Sequence, residues 1–213
     1  MSTGISREKA LRTLRAHKVH MRKHALARVP DAVARQFRHA WAPVDTLVEF
    51  LGLFPDPLLH FWATHPAGHI VLTESEGGYI PGTVVQGRRQ LHGVAFVPIP
   101  SLVGQGEPPL IYVAHLLDHL LGCDGAPDGP WLSDGGGRTA AWREVGARLY
   151  RQFTLGYASS EAARSDPHRY FAEGILAYWR DRTGLRVQDP GLEALLRTTV
   201  FNPQFWQRAE GNK

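Results

Sequence analysis

The chain has 213 residues, a mass of 23.7 kDa and an ordinary globular composition, with 43% hydrophobic and 21% charged residues. This balance excludes a disordered chain, and no apolar run is long enough to predict a membrane-spanning helix. The single cysteine, Cys123, excludes an internal disulfide and a multi-cysteine metal site, and it suits a reducing compartment, so we expect a cytoplasmic protein.

Positive charge is concentrated near the N-terminus. Residues 7–28 carry eight Lys or Arg and a single acid, whereas the rest of the chain is mildly acidic. The net charge of +4 therefore belongs to one segment, and it does not make the whole protein a nucleic-acid binder.

Apolar spacing predicts that the first part of the chain is helical. We expect helices over residues 6–28, 30–41, 45–53 and 57–64. Because the first of these carries the basic segment and the second directly follows it, residues 1–41 are predicted to form a basic helical N-terminal extension. Residues 42–213 are then predicted to form one domain.

The pattern changes to strands after residue 68. Branched and aromatic residues between glycine-containing turns predict a small sheet with strands over 69–73, 79–85 and 94–99. Further helices are predicted over 110–121, 139–153, 167–182 and 192–201. The first of these is apolar over nearly its whole surface and should be buried. The order of helices, sheet and helices predicts an α+β fold.

Candidate metal ligands lie in the predicted helix 110–121. The segment 110–122 has the sequence LIYVAHLLDHLLG, and its two histidines, His115 and His119, share one helix face. Imidazoles at that spacing can hold one Zn²⁺, and Glu173 on the helix 167–182 is the natural third ligand. The alternative is that one histidine is a core residue hydrogen-bonded to a carbonyl group.

A zinc peptidase also needs a general base beside the metal. In the His-Glu-x-x-His motif this base follows the first histidine, but the residue here is Leu116, which cannot carry a proton. In the inverted His-x-x-Glu-His motif, Asp118 takes the place of the acid with a side chain one methylene shorter. We therefore favour a structural role for Asp118, holding a histidine or the loop after the helix.

Four segments together resemble a known family. They are HLLDHLLG at 115–122, WLSDG at 131–135, the loop with Tyr157, and YFAEG at 170–174. They are similar to the catalytic domain of anthrax lethal-factor-like metallopeptidases, and the likeness in element order spans residues 45–206. The resemblance implies a zincin-like fold with a small mixed sheet and two central active-site helices. It also implies a zinc-dependent endopeptidase ancestry, with Tyr157 matching a tyrosine that assists the transition state.

The same resemblance implies that the active-site motif is degenerate. The family's first histidine, catalytic glutamate, second histidine, following aspartate and metal-binding glutamate fall on Ile111, Tyr112, His115, Asp118 and Arg169. In this alignment with the family, only His115 and Glu173 keep the family's residue type. Glu173 then matches a glutamate that lies beside the metal ligands and is not itself a ligand. A shift of four residues restores His115 and His119 as the pair, but Leu116 still occupies the position of the base.

The first of these two alignments suggests a physical role for Arg169. Its guanidinium would supply the positive charge that a lost cation leaves unbalanced, in a buried pair with Glu173 one helical turn away. The alternative is an exposed salt bridge between the same residues, worth about 0.3–0.5 kcal/mol.

We therefore expect a metallopeptidase-like pseudoenzyme that holds no zinc and has a binding or regulatory role toward a protein or peptide partner. One alternative is an active zinc-dependent hydrolase, in which Asp118 or Tyr157 assists a metal held by His115, His119 and Glu173.

The basic N-terminal helix supports a second alternative, a nucleic-acid accessory protein. Its candidate phosphate-binding residues are Arg15, Lys18, Arg22 and Lys23. Residues 1–36 contain no aromatic side chain on which a base could stack, which argues against recognition of single strands. We favour the interpretation that this helix packs on its own domain and presents a solvated charged face.

Overall fold

The structure is a computed structural model that describes residues 6–210. The chain divides into two compact units, Met1–Val113 and Ala114–Lys213. One long helix, Pro109–Cys123, begins in the first unit and ends in the second.

The first unit contains a four-stranded mixed sheet. Its strands are β1 (Val19–Met21), β2 (His69–Thr73), β3 (Gly78–Gln86) and β4 (Arg89–Pro98), in the spatial order β1-β2-β4-β3. Strands β1, β2 and β4 are parallel to one another, and β3 joins β4 as an antiparallel hairpin. Branched and aromatic side chains of the last three strands form a buried cluster that includes Val71, Val94 and Phe96.

Helices of the first unit precede the sheet. They are α1 (Arg7–His17), α2 (Ala25–Arg28), α3 (Asp31–Ala34), α4 (Ala42–Leu51) and α5 (Asp56–Thr64), and a 3₁₀ turn, Ile99–Val103, follows the sheet. Helix α1 is capped by Ser6, whose side chain accepts a hydrogen bond from the backbone N–H of Lys9. It buries Ala10 and Leu14 and packs on α4 and α5, as expected for a helix with a charged outer face.

The helix expected over residues 6–28 is wrong beyond residue 17. The chain leaves α1 at Lys18 and enters β1, which pairs with β2. His24 then has a φ of 61°, a left-handed conformation that an α-helix does not contain. The helix expected over 30–41 is reduced to the single turn α3. Because β1 belongs to the sheet, the first 41 residues do not stand apart from it, and the division of the chain falls after Val113.

The second unit is helical in the part that the structure describes. After the long helix, α6 (Pro109–Cys123), come a 3₁₀ turn (Leu132–Asp134), α7 (Ala140–Thr154), α8 (Glu161–Ser165), α9 (Pro167–Arg180), α10 (Arg182–Gln188), α11 (Pro190–Thr198) and α12 (Pro203–Glu210). The four helices expected here are confirmed as α6, α7, α9 and α11. The short helices α8, α10 and α12 were not expected, and α9 ends two residues early because Asp181 caps α10.

Glycines let the loop before α7 lie directly against that helix. A Cβ atom at Gly146 would overlap the backbone oxygen of Gly136, and one at Gly137 would overlap the backbone of Arg143. These glycines therefore allow the backbone of the loop to approach the backbone of α7 closely.

The observed architecture agrees with the expected class at the level of mixed helices and a small sheet. Within residues 6–210, none of the helices combines the length and the apolar character that crossing a bilayer requires.

Candidate functional site

His119 donates a hydrogen bond to a backbone carbonyl within the second unit. Its Nε2 lies 2.9 Å from the backbone oxygen of Ala126, and its side chain is fully buried. Burial lowers the pKa of His119, against the opposing effect of the Ala126 carbonyl, so the ring is a neutral imidazole that donates to this carbonyl. The expected alternative of a core histidine bonded to a carbonyl is confirmed for this residue.

The indole of Trp131 contacts three imidazoles. It stacks on His168 with ring centroids 4.0 Å apart and an interplanar angle of 11°, and it meets His119 at 5.4 Å and His115 at 6.2 Å. His168 in turn lies 2.9 Å from a carboxylate oxygen of Asp134. This cluster was not expected from the sequence, although WLSDG at 131–135 is among the segments that carry the resemblance.

Asp118 has the structural role that we favoured. Its two carboxylate oxygens accept hydrogen bonds from the backbone N–H of Ser133 at 2.8 Å and from the Ser133 hydroxyl at 2.6 Å. Burial raises the pKa of Asp118 to about 7, and the two bonds from Ser133 oppose this shift. The side chain therefore anchors the 3₁₀ turn Leu132–Asp134 to α6.

Glu173 accepts hydrogen bonds from three side chains. Arg169 Nε donates at 2.7 Å, the Ser160 hydroxyl at 2.8 Å and the Ser159 hydroxyl at 2.9 Å. Burial disfavours the charged form of Glu173, but the three hydrogen bonds outweigh this effect and lower the pKa of Glu173. The bonds from Arg169 and Ser160 contribute most to this lowering. The carboxylate is thus ionised and its oxygens are occupied.

The pairing expected between Arg169 and Glu173 is present, and its burial lies between the two alternatives. The side chains are 26% and 15% exposed. Tyr157, in contrast, is 55% exposed and lines a narrow cleft together with Glu173 and Ser159.

The two remaining positions of the expected degenerate motif lie in the first unit. Ile111 is buried. The ring of Tyr112 lies against Gly77, where a Cβ atom would overlap the tyrosine hydroxyl. Both side chains therefore have packing roles there.

The residues present do not fit a zinc ion. Among residues 6–210 there is no group of three or more His, Cys, Asp or Glu side chains arranged to hold a metal. The proposed set fails for identifiable reasons, since His119 donates to a carbonyl and Glu173 is paired with a guanidinium. A cation at this carboxylate would have to displace Arg169.

The candidate phosphate-binding residues are distributed over different environments. Lys18 is 5% exposed, and its ammonium donates to the carbonyls of His65, Pro66 and Ala67, so it is not available to a phosphate. Arg15 and Arg22 are each paired with acids of the same unit, at 2.7 Å from Asp45 and 2.6 Å from Glu76 respectively. Lys23 is exposed.

Acidic residues of the first unit balance the basic N-terminal segment. The ion pairs are Arg7 with Asp56, Arg15 with Asp45, Arg22 with Glu74 and Glu76, and Arg28 with Glu74. The uneven charge of the sequence is thus partly neutralised within the unit, which favours the packed interpretation of this segment.

In comparisons with known proteins, no family model, curated protein or solved structure matches this chain.

Proposed function

We propose that this protein is a catalytically degenerate relative of the lethal-factor-like metallopeptidases, with a zincin-like arrangement, and that it acts by binding a protein or peptide. The ion pair between Arg169 and Glu173 is the observation that carries the proposal. Arg169 occupies the position that the resemblance assigns to a metal-binding glutamate. A fixed guanidinium there supplies positive charge without an ion and repels a divalent cation.

The surroundings of this pair support a binding role over a hydrolytic one. Asp118 is fully buried and hydrogen-bonded to Ser133, so it does not serve as an exposed base. Tyr157 remains exposed beside the hydroxyl of Ser159 and the carboxylate of Glu173. An exposed aromatic ring next to polar groups is typical of surfaces that bind proteins and peptides.

The metal content of the full chain tests the loss of zinc chemistry. Protein purified without chelators should contain far less than stoichiometric zinc and should leave a complex peptide mixture uncleaved, as judged by mass spectrometry. The His115→Ala and Glu173→Gln variants should match the unmodified chain in both measurements. Stoichiometric zinc that either substitution removes would overturn the proposal and favour the active hydrolase.

Peptide selection tests the binding role. A displayed library of random peptides, selected on the immobilised full chain, should yield sequences whose affinity falls by about tenfold or more in Tyr157→Ala. Tyr150→Ala is the matched control, because Tyr150 is 45% exposed but does not line the cleft. Failure to enrich any peptide, or equal effects of the two substitutions, would contradict binding at this cleft.

A further inference from the structure

The first unit contains an open cleft of about 520 Å³, within the size range of small-molecule sites. Its polar and aromatic lining comes from Arg15, His20, Trp41, Gln86 and Arg89. The cleft shares no residue with the site around Glu173, so its function does not depend on the proposal above.

A tight turn places two of these side chains next to each other. Gln86 and Arg89 are directly paired across the β3–β4 hairpin, whose two-residue turn is Gly87-Arg88. Gly87 has a φ of 62°, which favours glycine at the first position of such a turn. Because directly paired residues in an antiparallel ladder project to the same face, the Gln86 amide and the Arg89 guanidinium line the cleft together.

The charge of the cleft is positive, and Arg89 is its main source. No acidic side chain among residues 6–210 lies within ion-pair distance of Arg89, whereas Arg15 is partly neutralised by Asp45. His20 is close enough to sense this charge, because burial and then Arg89 lower its pKa to about 4. At neutral pH His20 is thus an uncharged imidazole, with its Nε2 3.1 Å from Nδ1 of His69.

Trp41 supplies an aromatic surface at the same cleft. Its side chain is 58% exposed, although indoles are usually withdrawn from water. An exposed indole offers a face on which a planar ring can stack. The Gln86 amide nitrogen offers a hydrogen-bond donor, whereas the amide oxygen of the same side chain is buried. Aromatic stacking beside guanidinium groups is the combination with which proteins hold a base and its phosphate.

We propose that this cleft binds a nucleoside phosphate, with the base against Trp41 and the phosphate at Arg89 and Arg15. Such a ligand matches the cleft in its planar apolar ring, its hydrogen-bonding edge and its negative charge. It can be a free nucleotide or the terminal nucleotide of a single strand, since the two present the same chemistry.

Titration of the full chain distinguishes these sources. Adenosine and uridine diphosphates, adenosine, inorganic phosphate and a short 5′-phosphorylated oligonucleotide would be added while tryptophan fluorescence is recorded. At least one nucleotide should bind with a Kd below about 1 mM and about tenfold more tightly than adenosine or phosphate alone. An oligonucleotide that binds about tenfold more tightly than any free nucleotide would assign the site to strand ends, and comparable affinities would assign it to free nucleotides.

Matched variants test whether the cleft is the site. Arg89→Ala and Trp41→Ala should each weaken binding about tenfold, the loss expected for one stacking or phosphate contact. Arg88→Ala removes the same charge from the neighbouring turn position, and Trp179→Ala removes another exposed indole, which is 42% exposed. Each control should change the affinity by less than about twofold. Equal losses for Arg88→Ala and Arg89→Ala, or no nucleotide binding above that of phosphate, would overturn the proposal.

Discussion

Arg169 donates its Nε hydrogen to Oε1 of Glu173 at 2.7 Å, one turn further along α9. The same carboxylate accepts the hydroxyls of Ser159 and Ser160, so the pair also ties α9 to the loop that leads into α8. An ion pair within one helix is thus also part of a tertiary contact. It should stabilise the folded state by more than an ordinary surface salt bridge does.

Substitution of Arg169 tests this contribution to stability. In Arg169→Met the pKa of Glu173 should rise, because burial is then opposed by the serines alone. The free energy of unfolding should fall by about 1–3 kcal/mol, the cost of leaving a mostly buried carboxylate without its charged partner. Urea denaturation of the single variants and of the double variant with Glu173→Gln gives the coupling energy of the pair.

The exposed pair of Arg164 and Glu161 provides the control for that cycle. These side chains are 57% and 92% exposed and their charged atoms are 3.6 Å apart. Their coupling should be much weaker than that of Arg169 and Glu173. Equal coupling energies would show that the Arg169–Glu173 pair is merely a surface contact.

Ser133→Ala should destabilise the second unit. The substitution removes the hydroxyl that donates to the buried Asp118 carboxylate and leaves only the backbone N–H. A loss of about 1–3 kcal/mol in the free energy of unfolding is expected at pH 7.5. Ser165→Ala is the control, because Ser165 is exposed and donates only to carbonyls of its own helix. Similar stabilities of the two variants would contradict the anchoring role of Asp118.

The role of Asp118 could be predicted from its position, but its partner could not. A carboxylate in an otherwise apolar helix must be satisfied or neutralised, which is why the sequence favoured a structural acid. Ser133 lies 15 residues further on, beyond a Gly- and Pro-rich loop whose path no periodicity determines. The same limit applies to Trp131, whose contacts with three histidines depend on where that loop returns to the helices.

Strand β1 shows a different limit of sequence analysis. Three residues are too few for an alternating pattern to emerge, and the helical apolar spacing of the preceding helix continues through them. The acids that pair with Arg15 and Arg22 are likewise 30 and 54 residues away along the chain. Longer elements such as α6 and α7 were predicted within three residues at each end because their periodicity spans several turns.

The buried ammonium of Lys18 predicts a specific dependence of stability on alkaline pH. Burial lowers the pKa of Lys18 from 10.5 to about 8 in the folded protein. Between these values the unfolded chain binds more protons, so the contribution of Lys18 makes the folded state more stable as the pH rises. The rise should be on the order of 3 kcal/mol across this range.

Lys18→Met isolates this contribution. The variant leaves the carbonyls of His65, Pro66 and Ala67 without their donor and should be destabilised by about 1–3 kcal/mol at pH 7.5. Because it lacks the titrating group, its deficit relative to the unmodified chain should grow between pH 8 and pH 10 in urea denaturation. Lys23→Met removes an exposed ammonium and should show no such growth. A constant deficit would mean that the Lys18 pKa is close to its ordinary value.

Gly146→Ala tests the close approach between α7 and the preceding loop. The added methyl group would overlap the backbone oxygen of Gly136, and the neighbouring turn of α7 is anchored by the buried Trp142. Although alanine favours helices, we expect the free energy of unfolding to fall by about 3 kcal/mol, since overpacking against backbone outweighs helix propensity. Gly82→Ala is the control, because a Cβ atom there has no neighbour within 4 Å in the part of the chain that the structure describes. Thermal and urea denaturation should separate the two variants clearly, and a stabilised Gly146→Ala would show that the loop does not lie against this face of the helix.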